Sequence, residues 1–391
     1  MPAQGGELQV RDRIVVVGAG VVGTTAAWVA ARDHAAAEVV LVDPSPGSGA
    51  SSVAGGMLAP VTEAWPGERE LLELGAASLA RWPGFAAAVE EASGRRVGLR
   101  TDGTLAVVVD SADREDLDRI VTHLRDWGRD AERLTGREAR RREPALGPAV
   151  RAGLAVPDDL AVDNRLLLAA LREAARRAGV VERPASAVRV HDAGGAVTGV
   201  ELDDGSVLES SRVVVAAGAW SATLHPALDG LVRPVKGEIL RLRARAGSLP
   251  PPRHTVRAAV SGRAVYAVPR DDDRLVLGAT QYEVGFDEDV TVAGVRDLLG
   301  DAERVLPGIG DYALEECSAS FRPGTADNLP VLGAVPGAPE GLLACFGHGR
   351  NGILLTALTA DAVATLLAGR GLPDDAAAGS AARLTALEVL S

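Results

Sequence analysis

With 391 residues, 47% of them hydrophobic, the chain can bury one large core or two modest ones, and two domains are expected. Its 41 basic residues against 53 acidic ones leave a net charge of −12, and no stretch gathers Lys and Arg with interleaved aromatics, which argues against a nucleic-acid partner. The start, MPAQGGELQVRDR, has no apolar signal region, no apolar run is long enough to span a bilayer, and Cys317 and Cys345 lack CxxC spacing, so a soluble cytoplasmic protein with no metal site and no disulfide framework is expected.

In chain order, RIVVV at 13–17 reads as a buried strand, 21–31 as a helix of small residues and 38–42 as a second buried strand, a βαβ unit. Residues 45–56 are too rich in Gly and Ser for a regular element and predict a loop around something. Helical spacing marks 68–79 and 112–124, with a strand at 104–109 between them, and a clear amphipathic helix follows at 164–178. Residues 187–202 alternate as a strand, turn at Asp203-Asp204-Gly205-Ser206 and return through 207–215 as a hairpin. From 233 to 280 strands and polar turns succeed one another, including 264–269 and 275–279 about a turn at 270–274, which predicts an antiparallel sheet. A last strand at 342–346 leads through a glycine-rich turn to an Ala/Leu helix at 353–367. From Pro373 the tail is polar and alanine-rich, and part of it is expected to be disordered.

The stretch GAGVVG carries the first chemistry. A dinucleotide site needs one glycine for a tight turn, a second for close approach of a pyrophosphate and a third for helix packing, with an acid about 20 residues on for a ribose. Gly18, Gly20 and Gly23 meet the first three needs, and Asp43, closing VVLVD, meets the fourth. The pyrophosphate then lies at the N-terminus of the helix starting near Val21, where free N–H groups and the helix dipole favour negative charge. NAD and FAD share this fingerprint. A second apolar strand ending in a small-residue turn, VVVAAG at 213–218, followed by Ala219-Trp220-Ser221, resembles the second flavin-contacting strand of FAD oxidoreductases.

Four stretches carry a wider resemblance: Gly18 to Gly23 with Asp43; SVAGGMLAP at 52–60; FRPGTADNLPVLG at 321–333; and GHGRNGILL at 347–355. They resemble the D-amino acid oxidase superfamily of flavoproteins, and within it the glycine oxidases linked to thiamine biosynthesis, the ThiO type. The resemblance runs from residue 13 to about 367. It implies an α/β FAD-binding Rossmann-like domain of the glutathione-reductase type (10–85, 150–225 and 320–391) interleaved with an α+β substrate domain carrying an antiparallel sheet (86–149 and 226–319). Non-covalent FAD is implied, with glycine, sarcosine or a small D-amino acid as substrate and O2 as acceptor. A homo-oligomer and transfer of the product to thiazole synthase are further implications. A D-amino acid oxidase or dehydrogenase of broader specificity, and a flavin-binding protein without turnover, are the alternatives.

The same resemblance assigns roles to residues. Arg322 in FRPGT matches the carboxylate-binding arginine, a planar bidentate donor; an arginine paired with Glu315 or Glu316 is the other reading. Tyr266 in VYAVPR matches the tyrosine that donates to the same carboxylate. Arg350 in GHGRNG either contacts substrate or closes the site; a salt bridge that orders the loop is the other reading. Backbone groups from Gly349 through Asn351 and Gly352, with the helix beginning near Ile353, are placed to stabilise charge on a reduced flavin. Ser51, Ser52, Gly55, Gly56 and Met57 become wall residues of the flavin. Val21, Val22, Val188, Ala217, Gly218, Trp220 and His348 complete the cofactor contacts. No side chain is expected as a base, because a neutral amine can release its α-hydrogen as hydride and positioning does the work. Lys236, the single lysine, lies in RPVKGEIL with no role assigned. Monomeric sarcosine oxidases carry a lysine where this chain has Val276, which separates the chain from that subfamily, and a flavin-linking cysteine to which Ser320 lies closer than Cys317, which favours unlinked FAD.

Overall fold

In the computed structural model, which describes residues 12–129 and 131–384, Arg13–Val17 lies inside a six-stranded sheet. It pairs in parallel with Glu38–Val42 on one side and Arg212–Val215 on the other, with Val17 opposite both Val42 and Val215. Both faces of the strand are covered, and Ile14, Val15 and Val16 are fully buried, as the unbroken apolar run requires of a parallel sheet. Because the three strands end level, Gly18, Asp43 and Ala216 emerge along one edge. The crossover helix Val21–Asp33 packs its alanines against Gly352–Leu367 and Asn164–Arg177. Its small residues let the three helices approach, with Trp28 the one large side chain it buries.

The second large sheet has eight strands and is mostly antiparallel. Its longest pairing joins Arg233–Arg243 to Ala313–Gly324, and Arg274–Gly278, Arg263–Pro269 and Thr255–Val260 follow in order. Thr104–Val108 adds in parallel to Thr255–Val260, and Ala152–Val156 and Glu132–Thr135 complete the sheet. One face is sealed by the helix Val292–Val305 through Leu298, Ala302 and Val305. The other presents Ile239, Val268, Val276 and Tyr266 to Val53 and Ala161. By sheet membership, 152–156 and 320–324 lie in this sheet, although they were grouped with the nucleotide-binding half in the sequence division. Among the described residues no helix is long and apolar enough to cross a membrane.

Four local expectations are corrected, over 68–79, 187–202, 207–215 and 45–56. The helix expected over 68–79 runs through Pro83 as Arg69–Ser93. Tertiary packing overrides the proline: Trp82 is fully buried and its indole N–H donates to the Leu354 carbonyl at 2.8 Å. The long strand 187–202 is a hairpin, Ala187–Ala193 with Ala196–Leu202, turning at Gly194 and Gly195, both at positive φ. The return stretch 207–215 divides likewise: Val207–Glu209 pairs with that hairpin, whereas Arg212–Val215 joins the parallel sheet. The loop 45–56 contains a four-residue helix, Ala50–Val53. Residues 374–384 are ordered, with Ala376 and Ala381 fully buried and Arg383 bonded to Asp327 at 2.7 Å. The rest of the tail, 385–391, lies outside the described residues.

Candidate active site

A cavity of about 690 Å³ runs between the two sheets, from Gly18, Asp43 and Ser45 at one end to Tyr266, Arg322 and Arg350 at the other. At the first end Gly18 has φ +103°, and a Cβ there would strike the Ala216 carbonyl; one at Gly23 would strike the Gly18 carbonyl. These are the tight-turn and packing roles read from the sequence. The helix Val21–Asp33 opens with no acid in its first turn, so its N-terminus faces the cavity electropositive. Ser51 closes part of it: its Oγ accepts from the Val21 N–H at 2.9 Å. The Asp43 carboxylate accepts from the N–H groups of Ala19 (2.7 Å) and Ser45 (2.8 Å), so it fastens the turn as well as edging the cavity. Gly218 and Gly349, both at positive φ, have open space where a Cβ would point.

The far end is built by hollowing the eight-stranded sheet. Tyr266 lies opposite Gly278 on the neighbouring strand, and a Cβ at Gly278 or at Gly55 would come within 2.6 Å of its ring. Arg322 lies across Gly237, where a Cβ would come within 2.6 Å of its Cζ. Three glycines therefore seat the two side chains against backbone, which fixes their direction. The Arg322 Nη1 donates to the carbonyls of Thr280 at 3.2 Å and Lys236 at 3.4 Å. Among the described residues no carboxylate pairs with it. Glu315 is taken by Arg243 at 2.6 Å, and Glu316 by Arg165 at 2.7 Å. Burial pushes the Tyr266 phenol above its usual range, with Arg322 pulling the other way, so Tyr266 is a donor at neutral pH.

Arg350 lies on the cavity wall and is ion-paired with Glu68, and its Nη2 donates to the Glu63 carbonyl at 3.3 Å. The loop-bridging reading is thus present in the structure. His348 is buried and bonded to Thr359 Oγ1 at 3.0 Å; burial lowers its pKa to about 4, which keeps it neutral. Lys236 is buried on the opposite face of its strand from Gly237, tied to Asp287 at 3.2 Å and to the Asp289 carbonyl, so it anchors the segment that brings Glu288 to the cavity.

Of the residues singled out in the sequence, Gly18, Gly20, Val21, Val22, Asp43, Ser51, Gly55, Ala217, Gly218, Trp220, His348, Gly349, Gly352 and Ile353 line this cavity beside the three polar side chains. Gly23, Ser52, Gly56, Met57 and Asn351 stand behind the wall, and Val188 is exposed, with Ser186 and Ala187 lining in its place. Ser320 lines the cavity; Cys317 is outside it. Sequence reasoning missed Gly237, Gly278 and Glu68. Gly237 stands in RPVKGEIL and Gly278 in the strand expected at 275–279, but only pairing register shows what they make room for.

A glycine turn held against a parallel strand, an open helix N-terminus and a long cavity toward a second sheet fit FAD, and together they define a flavin-dependent oxidoreductase. The model of the DAO family, described as FAD dependent oxidoreductase, matches residues 13–366, and the chain belongs to that family. It is 33% identical over 362 residues to the bifunctional protein ThiO/ThiG of Synechocystis, covering 92% of this chain but 52% of that protein, so it spans about half the length of that relative. It is 35% identical over 362 residues to the glycine oxidase of Geobacillus kaustophilus, covering 91% of this chain and 93% of the relative. The crystal structure of the Geobacillus kaustophilus glycine oxidase superposes with a TM-score of 0.86 at 33% identity, covering 94% of this chain and 98% of that one.

Proposed function

We propose that the chain oxidises glycine to its imine at the expense of FAD, with water releasing the oxo acid and O2 reoxidising the flavin to give H2O2. One observation carries the reading: Arg322, a cation on the cavity wall without an acidic partner, set by Gly237 beside the phenol of Tyr266. Such a pair takes a small carboxylate, the guanidinium in bidentate fashion and the hydroxyl as third donor. FAD supplies the hydride acceptor when bound. The protein's part is to fix the substrate by its carboxylate, leaving the α-carbon directed by geometry. The Arg350–Glu68 pair closes the wall beside them. The loop 347–352 would hold the electron-rich edge of the cofactor, and the turn at Gly18 its pyrophosphate.

Two names among the relatives, glycine oxidase and ThiO/ThiG, support glycine as donor and a link to thiazole synthesis, in which a second protein consumes the imine or its oxo acid. Sarcosine and small D-amino acids are the neighbouring substrates to rank. Under anaerobic conditions, glycine is expected to bleach the visible flavin bands, and air to restore them with stoichiometric peroxide. A yellow protein that glycine, sarcosine and D-alanine all leave unbleached refutes the reading.

A further inference from the structure

The cavity wall at Ser51, Val53, Ala54 and Gly55 is a single short stretch of backbone, and four carbonyls of residues 51–56 accept hydrogen bonds from distant parts of the chain. Asn164 Nδ2 donates to the Ser51 carbonyl at 2.7 Å. The Ser52 carbonyl accepts from Arg165 Nε at 3.1 Å and from Arg241 Nη2 at 2.9 Å. The Gly55 carbonyl accepts from Arg270 Nη2 at 2.6 Å, and the Gly56 carbonyl from the Val162 N–H at 2.8 Å. The stretch is thereby fixed to the helix Asn164–Arg177, to the strand Arg233–Arg243, to Arg270 just past the strand Arg263–Pro269, and to Val162.

Charge behind the wall does not balance. Arg241 and Arg270 have side chains only 12% and 4% exposed. Glu316 is held bidentately by Arg165 and stays 3.9 Å from Arg241, and Asp163 stays 3.4 Å from Arg270 while also capping its own helix. Both arginine Nε atoms are buried without a hydrogen-bond partner. Arg100, farther out, is matched by Asp102 at 3.1 Å. Three guanidinium groups therefore face two carboxylates across one layer of backbone; Arg165 and Glu316 pair near the surface, 44% and 34% exposed, whereas Arg241 and Arg270 lie inside, where charge is poorly screened.

We propose that Arg241 and Arg270 are positioning residues for this wall and the source of a positive field that stabilises negative charge on the flavin bound against it. They touch neither substrate nor cofactor directly; they act through the carbonyls of Ser52 and Gly55. The inference rests on flavin binding alone and not on which amino acid is oxidised.

Sulfite tests it, because its lone pair adds to an oxidised flavin and leaves the ring anionic, with loss of the visible band and no amino acid present. In FAD-loaded protein, Arg241→Gln and Arg270→Gln are each expected to raise the sulfite dissociation constant on the order of tenfold and to move the flavin midpoint potential negative. Glu316→Gln, which removes a carboxylate from the same cluster, is expected to move both readouts the other way. Arg270→Lys keeps the charge but not the fork, so sulfite affinity stays near the parent value while FAD binds more weakly. Gln variants that hold FAD and keep sulfite affinity within about twofold of the parent overturn the proposal. So does a Glu316→Gln variant that shifts in the same direction as Arg241→Gln. If Arg270→Gln does not fold, the opposed signs at 241 and 316 decide the matter, and failure here leaves the glycine reading intact.

Discussion

Arg322 and Tyr266 are the residues whose removal separates binding from cofactor retention. Arg322→Met is expected to keep the flavin spectrum and raise KM for glycine by roughly a hundredfold or more, since a charge-assisted pair with a carboxylate is lost from a buried site. Steady-state kinetics beside a spectrum check it. Gly278→Ala should produce a similar defect without touching either donor, because the new methyl occupies the Tyr266 ring position. Asp159 offers a pH test. It is fully buried, bonded to Thr62 at 2.7 Å, and burial lifts its pKa from 3.8 to about 7. A carboxyl raised in the folded state stabilises most below its unfolded pKa, and that contribution is lost as pH climbs from about 4 to about 7. Asp159→Asn is therefore expected to raise Tm at pH 8 relative to the parent and to give little gain at pH 4, read by thermal melts at the two pH values. At this scale Gly18 and Asp43 were legible in the sequence because the glycine turn encodes short-range geometry, and Tyr266 and Arg322 were singled out by the resemblance to known flavoproteins. Gly237, Gly278 and Glu68 were not, because what they do depends on strands and helices brought together from distant segments.

Among the elements, the helix Arg69–Ser93 shows where local signals and packing part. Pro83 argues for a stop, since it lacks the N–H that would bond to the Leu79 carbonyl, yet the helix continues because Trp82 and Ser78 both reach the Leu354 carbonyl across the interface. Pro83 is exposed, and Gly84 has open space at its Cβ. The double change Pro83→Ala with Gly84→Ala is expected to stabilise the protein by about 1 kcal/mol or more, measured by denaturant unfolding. The βαβ unit was readable because its strand–turn–helix order is contiguous. The split of 187–215 was not, because alternation continues across Gly194-Gly195 and only pairing with Arg13–Val17 shows that 212–215 has changed sheets.

On the scale of the whole molecule, the two large sheets draw on segments that cross repeatedly from one to the other along the chain. Opening one sheet therefore exposes the ends of the other, and a single thermal transition is expected for both. The cavity that fits FAD lies across the same division, so added FAD at about 100 times its Kd should stabilise that transition by about 2.7 kcal/mol. Calorimetry with and without FAD checks both, and two separated transitions would contradict the coupling. The resemblance to glycine oxidases spanned this whole arrangement, whereas the pairing order of the eight strands was legible only as an antiparallel run.

Lys236 gives the molecule an unusual analytical property. It is the only lysine in 391 residues and its side chain is 1% exposed, beneath the turn that carries Asp287 and Asp289. Amine-reactive reagents thus find a single side-chain target, and one they reach only when that turn lifts. The rate of acylation at position 236, followed by mass spectrometry, is a built-in clock for the opening of the 281–291 segment, readable without introducing any label site.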